Sequence, residues 1–446
     1  MVPRRLGWKG PHVPLGKFWP HRKFWIALGA VGLLAGAAAV AVSLKPVRTL
    51  VEDAVHGDRL REQRQLIADP LTTDHWRKAD RTDKGVTIWN PIAAQRGFTL
   101  YTSGEGPVAR LVTMNGTIAH EWAIPYSRIW TKEAAAVQEP QPDNLIFLRQ
   151  ARVLPNGDLI AVFEAAGHVP AGYGLVRVDK ESKPVWSYLQ RAHGGFDMAP
   201  DGRVFALVQA IREDDTPTTM LKTPFLEEFV AVLSPEGRET ARISVVEALE
   251  RSRYASLLAK VSPGQADPLG VTSIQFMGDN AVKGVPGGHG ERVLLSLSGV
   301  GAVAILDVAS RQIVWAMRGE WNGPREVRVL PGGDLLMVDT ADGKTARTRQ
   351  FDPSTSTVTW SYGGDEGHPL AADARLSAQR LANGNTLLTD SGNGTLFEVD
   401  KDGTVVWEFT NPTRAGQNGG YMPVITSGQR IAARDLHDGF RGFTRP

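Results

Sequence analysis

The chain has 446 residues, with 50 Lys and Arg, 48 Asp and Glu, and no cysteine. A net charge of +2 argues against a nucleic-acid binder, which carries a clear basic surplus. The missing cysteines exclude disulfides, thiolate catalysis, Cys-ligated zinc, iron–sulfur clusters and c-type haem attachment.

The charge is unevenly spread. Arg4, Arg5, Lys9, Lys17, Arg22, Lys23, Lys45 and Arg48 all precede the first acid, Glu52. The rest of the chain holds 42 basic and 48 acidic residues, a net of −6. Within this basic leader, Phe24 to Leu44 is uncharged over 21 residues. As a helix it spans about 30 Å, the thickness of a hydrocarbon core. Phe24 and Trp25 sit where interfacial aromatics anchor such helices. Basic residues 4–23 precede the span, so the positive-inside rule places the N-terminus in the cytoplasm and exports the body to the periplasm or cell exterior. A cleaved signal peptide is the alternative, with Ala39-Val40-Ala41 as the cleavage site. Gly32 and Gly36 form a GxxxG that permits close packing against another membrane helix. Residues 1–23 are thus a cytoplasmic leader, 24–44 a transmembrane helix and 45–96 a connector, helical to Ala68 and irregular beyond Asp69-Pro70.

From Gly97 one theme recurs: a strand, a tight turn, an apolar strand, an Asp-containing turn and a strand closing on Trp. Leu154-Pro155-Asn156-Gly157-Asp158-Leu159 leads to Val185-Trp186. Leu330-Pro331-Gly332-Gly333-Asp334-Leu335 leads to Thr359-Trp360, and Leu381-Ala382-Asn383-Gly384-Asn385-Thr386 leads to Val406-Trp407. Asn-Gly and Asp-Gly supply the positive φ of hairpin turns. A spacing of about 40–50 residues is that of a propeller blade. Copies begin near residues 97, 149, 196, 270, 324 and 376. The expected fold is all-β, a six-bladed β-propeller over 97–446, with seven blades as the alternative. The closing Trp residues should pack between blades, Tyr421 to Ile431 should close the ring, and 245–260 should be a helical insertion.

No HExxH, P-loop or GxSxG is present, and the ten His show no close metal-ligand spacing. No cofactor and no metal site is expected. His193, in Arg191-Ala192-His193-Gly194-Gly195-Phe196-Asp197, is the one His at a blade entry and the candidate catalytic residue. Asp197 reads as a turn-capping group, and Val285 to Gly290 as a Gly-rich surface loop.

Gly97-Phe98-Thr99-Leu100-Tyr101, His120-Glu121-Trp122, Ser377 to Thr389 and Leu396 to Pro412 together resemble the arylsulfotransferase-like propeller family. That resemblance implies sulfuryl transfer through a nucleophilic His aided by other His and an Arg. The implied positions are largely replaced. His193-Gly194-Gly195-Phe196 stands for a His-His-Asp-Phe segment. Gly270 stands for a His, Gly299 for an Arg, and Arg375-Leu376 near a Gln-His. The expectation is therefore a membrane-anchored propeller without catalysis, a binding, scaffold or accessory subunit of a membrane complex. The alternatives are an active sulfuryl-transfer enzyme centred on His193, and a small-ligand binder using the axial pocket.

Overall fold

Leu159-Ile160-Ala161-Val162-Phe163 is apolar at every position, so both faces of its strand need cover. The fold supplies that cover with sheets on either side. Leu159, Ala161 and Phe163 pack towards one neighbouring sheet, and Ile160 and Val162 towards the other. The same parity divides Val293, Leu295 and Leu297 from Leu294, and Leu336 and Val338 from Leu335 and Met337. The core is accordingly six separate apolar wedges, one between each pair of adjacent sheets.

The computed structural model describes residues 69–79, 82–213, 221–262, 264–278, 282–285, 290–340, 344–370, 372 and 375–441. The described residues all belong to one compact unit, Leu66–Pro446. The expected leader, the helix 24–44 with Gly32 and Gly36, and the helical connector lie outside the described residues, as do 286–289 of the Gly-rich loop. Among the described residues no helix is long and apolar enough to cross a membrane.

Two short strands come first, β1 (Trp76–Lys78) and β2 (Gly85–Trp89). Blade 1 contains β3 (Phe98–Ser103), β4 (Val108–Val112) and β5 (Ile118–Ala123). Blade 2 is β6 (Ile146–Val153), β7 (Leu159–Ala165), β8 (Gly172–Val178) and β9 (Pro184–Tyr188). Blade 3 is β10 (Ala192–Met198), β11 (Val204–Arg212), β12 (Phe225–Leu233) and β13 (Glu239–Ser244). Helix α1 (Val245–Glu250) follows, capped by Ser244 Oγ accepting from the Glu247 amide at 3.1 Å. With the 3₁₀ turn Ala255–Lys260 it forms the insertion expected at 245–260, buried through Val246, Leu249 and Leu258.

Blade 4 is β14 (Val271–Phe276), β15 (Arg292–Leu297), β16 (Ala302–Asp307) and β17 (Gln312–Arg318). Blade 5 is β18 (Arg325–Val329), β19 (Leu335–Asp339), β20 (Arg347–Asp352) and β21 (Thr357–Tyr362). Blade 6 is β22 (Ser377–Arg380), β23 (Thr386–Asp390), β24 (Thr395–Val399) and β25 (Val405–Thr410). After β26 (Tyr421–Pro423), β27 (Ile425–Ile431) pairs with β3 and completes blade 1 from the other end of the chain. The molecule is an all-β six-bladed β-propeller, closed by the segment expected to close it.

Residues 69–96 depart from the irregular linker expected. β1 pairs with β26, and β2 adds a fifth strand to blade 6 by pairing with β25. Val86 and Trp89 face Phe409 and Trp407 in that register. The strand is short and alternates with polar residues, which hid it in the sequence.

The closing Trp residues are wedge elements, as expected. Four indole N–H groups donate to a turn carbonyl of the following blade: Trp122 to Gly157 (3.2 Å), Trp186 to Pro235 (3.1 Å), Trp360 to Lys401 (3.1 Å) and Trp407 to Met114 (2.9 Å). This places each hairpin turn against a neighbour's ring. At Gly237, with φ of 78°, an added Cβ would lie 2.5 Å from the Trp186 ring.

Candidate functional site

Six strands, β6, β10, β14, β18, β22 and β27, line an axial cavity of about 640 Å³. Its wall is polar, and side-chain amides join one strand to the next. Gln150 accepts from the Phe196 amide (3.1 Å), Gln275 from the Val329 amide (2.7 Å) and Gln379 from the Arg430 amide (2.8 Å). Asp197 is part of this belt and not a turn cap. It pairs with Arg152 at 2.5 Å and accepts from the Phe276 amide at 2.9 Å. Its place inside β10, facing two blades, is the reason.

A second cavity of about 360 Å³ opens at the end where these strands begin. His193 lies in its wall, at the start of β10, where the sequence placed it. The ring is buried, and Nε2 lies 2.7 Å from Glu228 Oε2. Glu228 is fully buried on β12 and also accepts from Gln209 Nε2 at 2.9 Å. Burial pulls the His193 pKa down, but the charge and hydrogen bond of Glu228, with Glu164 and Asp267 beyond, pull it further up. The net shift is above the ordinary value. Burial likewise raises the Asp267 carboxyl, with Glu228 adding to it, against the opposing pull of the Gly270 amide, His193 and Arg325.

The other acids of the wall have partners. Glu164 accepts from the Gly194 amide at 2.7 Å, and Asp267 from the Gly270 amide at 2.9 Å. Asp74 sits between His75 (2.9 Å) and Arg375 (3.3 Å). The His75 ring packs against Phe147 in a tilted pair with centroids 3.9 Å apart, so the segment before β1 forms part of the rim. Among the described residues no group of three or more His, Asp or Glu side chains is arranged to hold a metal ion.

The structure therefore brings His193, Asp267, Gly270 and Arg375 to one cavity, together with Arg149, Glu164, Glu228 and Arg325, which sequence reasoning missed. A signal for them existed. Glu228 interrupts the apolar run of β12, and Arg149 interrupts that of β6. A charge inside a strand covered on both faces must meet a partner or a cavity.

Comparison with known proteins corrects the family expected. The family model that matches is described as outer membrane protein assembly factor BamB, over residues 229–439, just under half of the chain. The arylsulfotransferase-like resemblance is overturned by that match. Its stretches lie on blade strands and Trp-closed interfaces, where packing dictates the residues in any propeller of this build. No curated protein matches the sequence. Among solved structures, a protein of unknown function from Bacteroides caccae is 12% identical, with TM-score 0.45, covering 74% of this chain and 99% of its own. A virginiamycin B lyase from Staphylococcus aureus is 11% identical, with TM-score 0.40, covering 76% of this chain and 88% of its own. The second half of this propeller is thus similar to the assembly-factor family.

Proposed function

We propose that the chain is a non-catalytic binding propeller, held at a membrane by residues 24–44, that docks another protein as an accessory subunit of a membrane complex. One observation carries the reading: the His at the blade entry is consumed by its own fold. His193 Nε2 lies 2.7 Å from Oε2 of the buried Glu228, so that nitrogen is held in a hydrogen bond inside the fold and is not free for attack. The assembly role named in the matching family description supports docking as the function. The basic leader supports an anchored chain with its propeller in the periplasm or cell exterior.

The test is purification of the full chain from its native membrane in mild detergent. A partner retained at fixed stoichiometry, in the wild type and in His193→Gln alike, is the expected result. A chain that elutes alone from both preparations overturns the proposal.

A further inference from the structure

Arg149 is about 8% exposed and, among the described residues, is the only one shared by the walls of the axial and mouth cavities. It is the extra residue of a β-bulge: Leu148 pairs with Phe163 and Gln150 with Val162, leaving Arg149 unpaired between them. Bulges re-aim side chains, and this one turns a guanidinium onto the axis. Nη1 donates to the Thr426 carbonyl at 2.8 Å, and no carboxylate of the described residues pairs with it. Two other arginines of the axis have carboxylates, and a third, Arg380, has none but is held by a side-chain oxygen, a carbonyl and a ring. Arg152 pairs with Asp197 (2.5 Å) and Arg328 with Glu326 (3.1 Å). Arg380 donates to Gln350 (2.9 Å) and to the Gly384 carbonyl (2.8 Å) and lies on the Trp360 ring.

A buried cation without an anion is costly, and a fold that can place Asp197 beside Arg152 could place one beside Arg149. We infer that Arg149 is an oxyanion-binding residue: the axial mouth takes a small ligand carrying a carboxylate or phosphate group, held by the Arg149 fork. The planar guanidinium offers two parallel N–H donors to such a group. The mouth cavity, about 360 Å³, has the volume of a small-molecule site. His193 lines the same cavity, with Glu228 behind it. The inference does not depend on whether the propeller docks a protein.

The experiment is thermal unfolding of the full chain in detergent, at constant ionic strength, with inorganic phosphate in one arm and succinate in the other. One probe raises the wild-type Tm by about 2 °C or more at saturating concentration, and the responding arm identifies the group. Arg149→Gln loses the response while unfolding, without ligand, no lower than the wild type. No response of the wild type to either probe overturns the inference, and so does an equal response of Arg149→Gln. Should Arg149→Gln fail to fold, a wild-type crystal soaked in selenate decides. An anomalous peak at the guanidinium supports the site, and its absence overturns it.

Discussion

Arg430 and Glu398 are both almost wholly buried, with Nη2 and Oε2 3.2 Å apart. Arg430 belongs to the closing strand and Glu398 to blade 6. Glu398 also accepts from the Gln95 amide and Asn385 Nδ2, each at 2.7 Å. Burial lowers the Arg430 pKa to about 10, with Glu398 opposing, so the side chain stays charged at neutral pH. Glu398→Ala strands that charge and should cost about 3–5 kcal/mol in urea unfolding. Replacing both by Leu and Met should cost far less.

His193 gives a pH signature. Its folded pKa is raised, so the pair's contribution is full below the unfolded value of about 6.5 and is lost as pH rises through the folded value. The Tm advantage of the wild type over His193→Gln should therefore shrink as pH rises through neutral. A gap constant across that range contradicts a raised His193 pKa.

At the scale of elements, the blade interface is a Trp ring set against the next blade's turn. Gly237→Ala must both hold a positive φ and displace the Trp186 ring, whereas Gly403→Ala meets only ordinary contacts, the nearest at 3.5 Å. Gly237→Ala should destabilise the chain by about 2–4 kcal/mol, clearly more than Gly403→Ala, by denaturant midpoints. Trp186→Phe keeps the apolar wedge and loses one hydrogen bond, about 1 kcal/mol.

These elements were legible in the sequence because each is local. Asn156-Gly157 and Asp402-Gly403 announce turns, and the apolar runs between them announce strands covered on both faces. β2 was not legible, since its pairing with β25 joins residues more than 300 positions apart. Nor was the His193–Glu228 pair, which requires the β10–β12 register. The charge of Arg149 within an apolar run was legible, but the bulge that leaves it unpaired was not, since no residue type in Leu148-Arg149-Gln150 signals it. The family was misread for a related reason: strand and turn residues report the blade and not the lineage.

For the whole molecule, six wedge-shaped cores mean that no blade buries both its faces without two neighbours. Blade 1 is completed by β27, paired with β3 along Ile425–Ile431, while β2 joins the N-terminal side to blade 6. Deleting 425–446 exposes β3 as an edge and removes Arg430, so the truncated chain should lose cooperative unfolding and aggregate.

The central claim is that this ring works by holding a partner and not by turning over a substrate. Purification from the native membrane tests it most directly, read as the mass of the eluted complex for the wild type and for His193→Gln. The account predicts the same stoichiometric complex in both. A wild-type chain that elutes without a partner contradicts it.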